Sequence, residues 1–371
     1  MMADSRVTEV RVRAERRALL NPPSFSTRTV PARIFVVVEV HRADGTVGEG
    51  FTPCNAEGSR VVVAAVDELL RDVVVGEDSW DVERLWAAMY QKVLLHGRVG
   101  SVMRALSAID IALWDANARS VGLPLWKLLG GHAQTVPAYA SGGYYFEGKD
   151  ASGLADEMES YVQAGFRAVK MKVGRGDLRS EEARIAAVRE RVGPDVLVML
   201  DANNAWADVV TAQRMMAMFE KYDPYWIEEP FSPDDKRSHA ALAARTSVPV
   251  ATGEIEAGRW AHLELLGQGS AQILQTDATA CGGITEYRKI ADLAVTYGVG
   301  MAPHAYHQLH QHLVAGLPGQ LFVEYFVDNS IVNYGELLSA GVSHTDGRLQ
   351  LTDEPGLGYR HVSKSNQDGT R

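Results

Sequence analysis

Eight short apolar runs, separated by amphipathic helical patterns, occupy the chain from about residue 136 and constrain its fold more than any other feature. The runs are VPAYAS, AVKMKV, VLVMLDAN, YWIEEP, VPVATGE, QILQTDA, VGMAPHA and LFVEYF, and segments such as SEEARIAAVRERVG lie between them. Strands that alternate with helices pair in parallel, and eight of them most simply close into a barrel. An open doubly wound sheet is the alternative, but no GxGxxG motif follows the first strand to support a dinucleotide site.

The chain before these runs follows a different pattern. Residues from about 7 to 52 indicate a β-meander with a turn at Asp44 and Gly45, and three helical patterns follow it, the last ending near Gly122. The pattern predicts an α+β domain over residues 1–130 and the barrel over residues 131–330. Residues 331–371 show no clear amphipathic helix, so we expect them to return to the first domain and to end in a polar tail, disordered from about Ser363.

Composition narrows the classes of partner. The formal net charge of −10 and the pI near 5.6 argue against binding to nucleic acid or to an anionic membrane, and they favour a small-molecule ligand. The N-terminus does not resemble a signal peptide and no apolar run reaches membrane-spanning length, so we expect a cytoplasmic protein. Cys54 and Cys281 have no metal-type spacing and fit reduced thiols, with a disulfide as the alternative.

Polar or ionisable residues end nearly every strand of the predicted barrel. The carboxyl ends of barrel strands converge on the one face where barrel active sites lie, so we expect these side chains to meet. Any one of them alone is more often a helix cap or a satisfied charge, and only the whole set indicates a site. The set is Lys170, Lys172, Asp201, Asn203, Glu228, Glu229, Glu254, Asp277, His304 and Glu324.

Three of the carboxylates indicate a metal site. Asp201, Glu228 and Glu254 follow three consecutive strands, and carboxylates this close repel one another unless a cation joins them. Oxygen ligands without Cys or His favour Mg²⁺.

The motif KMK places Lys170 and Lys172 on the same face of one strand. Two ammonium groups there require an anion nearby, and their proximity to each other and to a metal predicts a lowered pKa for at least one of them. A neutral lysine can act as a base.

The chain resembles the enolase superfamily, in particular its mandelate racemase-like branch. The resemblance rests on SAIDIALWDANARSVGLPLWKLLGG, KMK, DANNAW, WIEEP, ATGE, TDATACGGITE, APHAY and VEYF, which extend over nearly the whole chain. It implies an α/β fold, a (β/α)7β TIM-like barrel with an α+β capping domain, and one Mg²⁺ per subunit. It also implies a homo-oligomer, for which the sequence itself supplies no interface signal.

The same resemblance implies roles for individual residues. Asp201, Glu228 and Glu254 match the metal ligands. Lys172 matches one base, and Lys170 matches the neighbouring lysine that neutralises the substrate carboxylate. His304 matches a second acid/base group, which Asp277 orients. Glu324 matches a protonated group that donates a hydrogen bond to the enolate. Asn203 is expected to point into the same site, with Glu229 behind it. A lysine ends strand six in the muconate-lactonizing-like branch, whereas Asp277 stands there in this chain.

These roles predict removal of the proton α to a carboxylate, giving an enediolate. Loss of a β-hydroxyl as water then yields a 2-keto-3-deoxy acid, which makes an acid-sugar dehydratase the first choice. A racemase, epimerase or cycloisomerase with the same Lys/His pair is the alternative, and a non-catalytic binding barrel is the non-enzyme alternative. A hydroxylated substrate is favoured by the polar and aromatic groups of the predicted lids, ALLNPPSFSTRT and SGGYYFEGKD, and of HGR at residues 96–98. An ordinary polar surface, with no role in binding, is the alternative for these segments.

Overall fold

A three-stranded antiparallel sheet begins the chain in the computed structural model, which describes residues 4–19, 21–55 and 57–362. The strands β1 (Val7–Ala18), β2 (Ala32–Arg42) and β3 (Val47–Cys54) pair in sequence order. Gly45 has a φ of 86° in the turn between β2 and β3, a conformation that glycine adopts without steric penalty. The predicted meander is therefore present.

Helices cover one face of this sheet, and together they form the cap. α4 is buried along most of its length, and the backbone of Gly48 and Gly50 in β3 approaches it so closely that a Cβ would meet α4 backbone oxygens at 2.1 Å. The tight approach explains the glycines in this strand. The cap helices are α1 (Ser59–Ala64), a π-helical turn (Ala65–Leu70), α2 (Arg71–Val74), α3 (Val82–Val93), α4 (Ser101–Ser120) and α5 (Leu125–Leu128).

The eight predicted strands form a parallel barrel. The strands are β4 (Thr135–Ser141), β5 (Ala168–Lys172), β6 (Leu197–Asp201), β7 (Pro224–Glu228), β8 (Val250–Thr252), β9 (Ile273–Leu274), β10 (Gly300–Met301) and β11 (Val323–Tyr325). From β4 to β10, each strand is hydrogen-bonded to the next one in sequence. The ring is closed by the pairing of β11 with β4 and by a bridge from Met301 of β10 to Gln320, just before β11.

Helices connect the barrel strands. Five of them begin after an aspartate whose side chain accepts a hydrogen bond from a backbone amide of the first turn, which satisfies a donor that the helix cannot pair internally. The helices are α6 (Ala151–Gln163), α7 (Leu178–Val192), α8 (Val209–Phe219), a 3₁₀ turn (Glu220–Tyr222), α9 (Lys236–Ala243), α10 (Gly258–Gly267), α11 (Ala278–Cys281), α12 (Gly283–Thr296) and α13 (His307–Gly316).

The chain after β11 connects the barrel to the cap. It forms 3₁₀ turns at Asn329–Ile331 and Gly335–Leu337, and a hairpin of β12 (His344–Thr345) and β13 (Arg348–Gln350) that pairs antiparallel with β4. The backbone N–H of Leu357 donates to Asp115 of α4, and that of His361 donates to Glu49 of β3. The tail predicted to be disordered, from Ser363, lies outside the described residues.

Both cysteines are buried and free, as the reduced-thiol interpretation requires. Across the described ranges, no helix combines the length and the apolar character needed to cross a membrane.

Candidate active site

The cap and the carboxyl ends of the barrel strands enclose a cavity of about 290 Å³. Its barrel wall contains seven of the predicted site residues: Lys172, Asp201, Asn203, Glu254, Asp277, His304 and Glu324. Lys170, Glu228 and Glu229 are buried and are not part of the cavity wall.

Strand register explains why residues distant in sequence meet here. Lys172 on β5 is the direct partner of Asp201 on β6, and Asp201 is the partner of Glu228 on β7. Because parallel neighbours at one level project to the same side of the sheet, one lysine and two carboxylates are stacked around the barrel mouth.

The two lysines contact carboxylates rather than each other. Lys172 Nζ lies 2.5 Å from Asp201 Oδ2. Lys170 Nζ lies 2.7 Å from Glu228 Oε1 and 2.8 Å from Glu324 Oε1. The anions that the KMK motif requires are therefore supplied, within the protein, by the ends of the neighbouring strands.

This pairing changes two expectations about protonation. Burial opposes the charge of each lysine, but the facing carboxylates outweigh it, so the pKa values of both Lys170 and Lys172 are raised rather than lowered. Burial alone would raise the pKa of Glu324, but Lys170 and His304 lower it, so the ionised form is favoured instead of the protonated form that its predicted role requires. In this arrangement both lysines are ammonium groups and Glu324 is an acceptor.

The site carries more acidic than basic side chains. Burial and the charge of Asp201 raise the pKa of Glu228 in spite of its contact with Lys170, because that single ammonium is shared with Glu324 and Asp201. Burial raises the pKa of Glu254, and the Asp201 charge adds to it. These three carboxylates are thus close enough to repel one another.

The donor chemistry of this cluster suits a hard divalent cation. Asp201, Glu228 and Glu254 offer oxygen atoms only, and Asn203 Oδ1 beside them is buried with no hydrogen-bond partner. Across the part of the chain that is described, however, no three Asp, Glu, His or Cys side chains already surround one point as metal ligands would. Asp201 is paired with Lys172 and Glu228 with Lys170, whereas Glu254 faces His304.

His304 also lines the cavity and lies beside Glu254. Its Nδ1 lies 3.1 Å from Asp277 Oδ2, and its Nε2 lies 3.6 Å from Glu254 Oε1. Asp277 is itself fixed, because its Oδ1 accepts hydrogen bonds from the backbone and hydroxyl of Thr279. Burial opposes protonation of the imidazole, but Glu254 and Asp277 raise the pKa of His304 to about 10.

Two residues beside the predicted ligands have left-handed backbones. Asn203 has a φ of 45° and donates from Nδ2 to Asp201 Oδ2 at 3.2 Å. Glu229 has a φ of 42°, and burial followed by the charge of Glu254 raises its pKa. Non-glycine residues in this region are strained, and such strain gathers at functional sites.

The predicted lids contribute to the cavity, but the HGR segment does not. Phe25 and Tyr144 line it, and the ammonium of Lys172 lies 4.9 Å from the Tyr144 ring centroid. The loop with Phe25 is held to the barrel where Thr27 Oγ1 donates to the Asn203 carbonyl at 3.3 Å. Residues 96–98 do not line the cavity.

Sequence reasoning missed the cap residues that line the cavity. They come from loops and from the start of β2 and α4, so the rule that barrel chemistry lies at the carboxyl ends of strands does not select them. The one signal available in the sequence was the number of arginines near the predicted lids. They include Arg28, Arg33, Asn55, Ser101 and Arg104, and the barrel side adds Tyr306.

Together, the fold and the acid and base groups at the barrel mouth define a capped β/α-barrel enzyme. Residues 7–130 match the family model described as the mandelate racemase / muconate lactonizing enzyme N-terminal domain, and residues 153–363 match the enolase C-terminal domain-like model. The chain belongs to the mandelate racemase / muconate lactonizing enzyme family of the enolase superfamily.

Individual relatives agree with this assignment. The chain is 35% identical to L-talarate/galactarate dehydratase of Salmonella typhimurium, over 87% of this chain and 79% of the relative. It is 34% identical to 3,6-anhydro-alpha-L-galactonate cycloisomerase of Streptomyces coelicolor, over 87% and 88%. The crystal structure of a racemase from Streptomyces coelicolor A3(2) with bound magnesium superposes with a TM-score of 0.89 at 31% identity, covering 96% and 97%.

These comparisons confirm the predicted family and the predicted fold class. They also confirm the enzyme class at the level of lyase or isomerase, since the similar proteins are named dehydratase and cycloisomerase.

Proposed function

We propose that this protein is a Mg²⁺-dependent acid-sugar dehydratase. It removes the proton α to the carboxylate of a polyhydroxy acid and then expels the β-hydroxyl as water, giving a 2-keto-3-deoxy acid. The observation that carries the proposal is that Lys172 and His304, a base and an acid, line one cavity together with carboxylates suited to a hard cation.

Asp201, Glu228 and Glu254 would hold the Mg²⁺ ion. Their oxygen-only donor set and their surplus negative charge support this role. A bound Mg²⁺ ion supplies positive charge that stabilises the substrate carboxylate as its α-proton is removed.

Lys172 is the proposed base. Its ammonium contacts Asp201, so it must leave that carboxylate and lose its proton before it can accept one from the substrate. Tyr144 and Phe25 cover its other side, with ring centroids 4.9 Å and 5.3 Å from Nζ. Both rings also line the cavity, so the amine lies between aromatic groups at the place where the substrate would bind.

His304 is the proposed acid. A pKa raised to about 10 keeps its imidazole protonated at neutral pH, and Asp277 fixes the ring through Nδ1. The Nε2 proton, 3.6 Å from Glu254 Oε1, would be the one donated to a leaving hydroxyl in the cavity. Glu324, bound to Lys170 and to the backbone N–H of Ala305, would take up a proton only when an acid substrate displaces that pairing.

A cycloisomerase is the second candidate, favoured by the 34% identity to the Streptomyces coelicolor enzyme. It would form the same enediolate and differ only in the fate of that intermediate. A product assay separates the two candidates, because a dehydratase gives a product lighter than its substrate by one water, whereas a cycloisomerase gives a product of the same mass as its substrate.

The experiment compares two variants on an acid sugar that the wild type dehydrates. In His304→Asn we expect dehydration to be lost while the α-proton still exchanges with deuterated solvent, because Lys172 remains. In Lys172→Met we expect both to be lost. Exchange retained only in the Lys172→Met protein would reverse the two roles, and full dehydration by both variants would refute the site.

A further inference from the structure

Three arginines face the cavity from the cap, opposite the barrel wall that carries Lys172 and His304. They are Arg28 in the first lid, Arg33 at the start of β2 and Arg104 in the first turn of α4. Of the described cap residues that line this cavity, only Glu57 is acidic. The cap wall thus carries a local positive surplus in a protein whose net charge is −10.

Arg28 is exposed, whereas Arg33 and Arg104 are half-buried and their guanidinium groups are poorly satisfied by the protein. Arg33 donates from Nη1 to Asn55 Oδ1 at 3.1 Å, but its Nε is buried without a hydrogen-bond partner. Arg104 makes one long hydrogen bond of 3.4 Å to the Pro53 carbonyl. Within the described ranges, none of the three forms an ion pair. Charged groups held partly out of water without a counter-charge are unfavourable unless a ligand supplies one.

The cavity is therefore charged at two ends. The barrel end holds the proposed acid/base pair and would take one carboxylate of the substrate. A monoacid sugar would place a neutral hydroxymethyl group against the arginines, whereas a second carboxylate would match their planar, forked donors. The volume of about 290 Å³ suits one small molecule that reaches both walls.

We propose that the substrate is a sugar diacid, whose far carboxylate is bound by Arg33 and Arg104, with Arg28 at the mouth of the cavity. This inference rests on the proposed function, because it assigns the substrate class of the same site. Arg28 and Asn55 also line an adjoining cavity of about 190 Å³.

The test compares galactarate, a six-carbon diacid, with galactonate, the monoacid of matching hydroxyl stereochemistry. We expect the wild type with Mg²⁺ to show a higher kcat/KM for galactarate. In Arg33→Gln and in Arg104→Gln, we expect the ratio of the two kcat/KM values to fall about 10- to 100-fold, the effect of losing charge-assisted hydrogen bonds. Arg237→Gln on α9 removes an exposed arginine elsewhere and should leave the ratio unchanged.

Several results would overturn the proposal. One is a wild-type kcat/KM that is higher for galactonate, or for galactonate 6-phosphate, than for galactarate. The other is an unchanged ratio of the galactarate and galactonate kcat/KM values in both Arg33→Gln and Arg104→Gln, when these variants fold. The wild-type preference decides the matter even where a variant fails to fold. If neither acid is turned over, that result concerns the proposed function, which other acid sugars then test, and calorimetric binding of the same two acids decides the inference: tighter binding of galactarate supports it and equal or weaker binding refutes it.

Discussion

Replacing Glu49 by glutamine should loosen the connection between the C-terminal segment and the cap. Glu49 Oε2 accepts from the backbone N–H of His361 at 2.6 Å and contacts its Nδ1 at 2.7 Å. His361 Nε2 in turn contacts the Tyr334 hydroxyl at 2.8 Å, and the Tyr334 ring stacks on Phe51 of β3. The carboxylate therefore fixes the segment that brings Phe326 and Val332 to the cavity wall.

The pKa of Glu49 sets the size of the effect. Burial alone would raise this pKa, but the hydrogen bonds and charge of His361 lower it from 4.5 to about 2. At about 1.4 kcal/mol per pKa unit, the ionised carboxylate contributes about 3 kcal/mol of stability at neutral pH, and the side chain is too buried for solvent to screen much of it. Since the folded-state pKa is the lower one, this contribution is complete above the unfolded-state pKa and is lost as the pH falls toward about 2.

Urea unfolding of the wild type and of Glu49→Gln measures the difference. We expect the variant to be about 3 kcal/mol less stable at neutral pH, with the gap reduced by about 1.4 kcal/mol near pH 3.5. Glu190→Gln, an exposed residue at the end of α7, serves as the matched control and should change stability by less than about 0.5 kcal/mol. A gap that stays constant between the two pH values would refute the electrostatic argument.

Three further predictions concern the site and the assembly. Chelation should abolish turnover and added Mg²⁺ should restore it, whereas normal turnover in chelator would exclude the metal role of Asp201, Glu228 and Glu254. Asp277→Asn should lower kcat more than it raises KM. It should also move the alkaline limb of the pH profile to lower pH, because the Asp277 hydrogen bond helps raise the pKa of His304 to about 10. An alkaline limb at the wild-type pH would contradict this positioning role of Asp277. A homo-oligomer should appear by light scattering at micromolar concentration, and a monomeric mass would reject that prediction.

The barrel and its strand-end residues could be predicted because both depend on local patterns. Apolar runs of strand length that alternate with amphipathic helices favour parallel pairing, and the chemistry of a barrel gathers at one end of its strands. Asp201 and Glu228 could therefore be expected to meet, and the register places them side by side. The KMK motif likewise indicated anions near its lysines, and the structure supplies them.

Only the tertiary structure decided which anion each lysine meets and which cap residues face the substrate. The expected lowering of a lysine pKa rested on the neighbouring ammonium group and on a metal, whereas in this structure carboxylates from other strands raise the pKa values of both lysines. Arg33 and Arg104 lie far apart in sequence and far from the barrel motifs, yet they line one wall. Local pattern determines which side chains end the strands, but charge and contact act through space, so the pKa values and the cap wall of the site depend on how the cap docks onto the barrel.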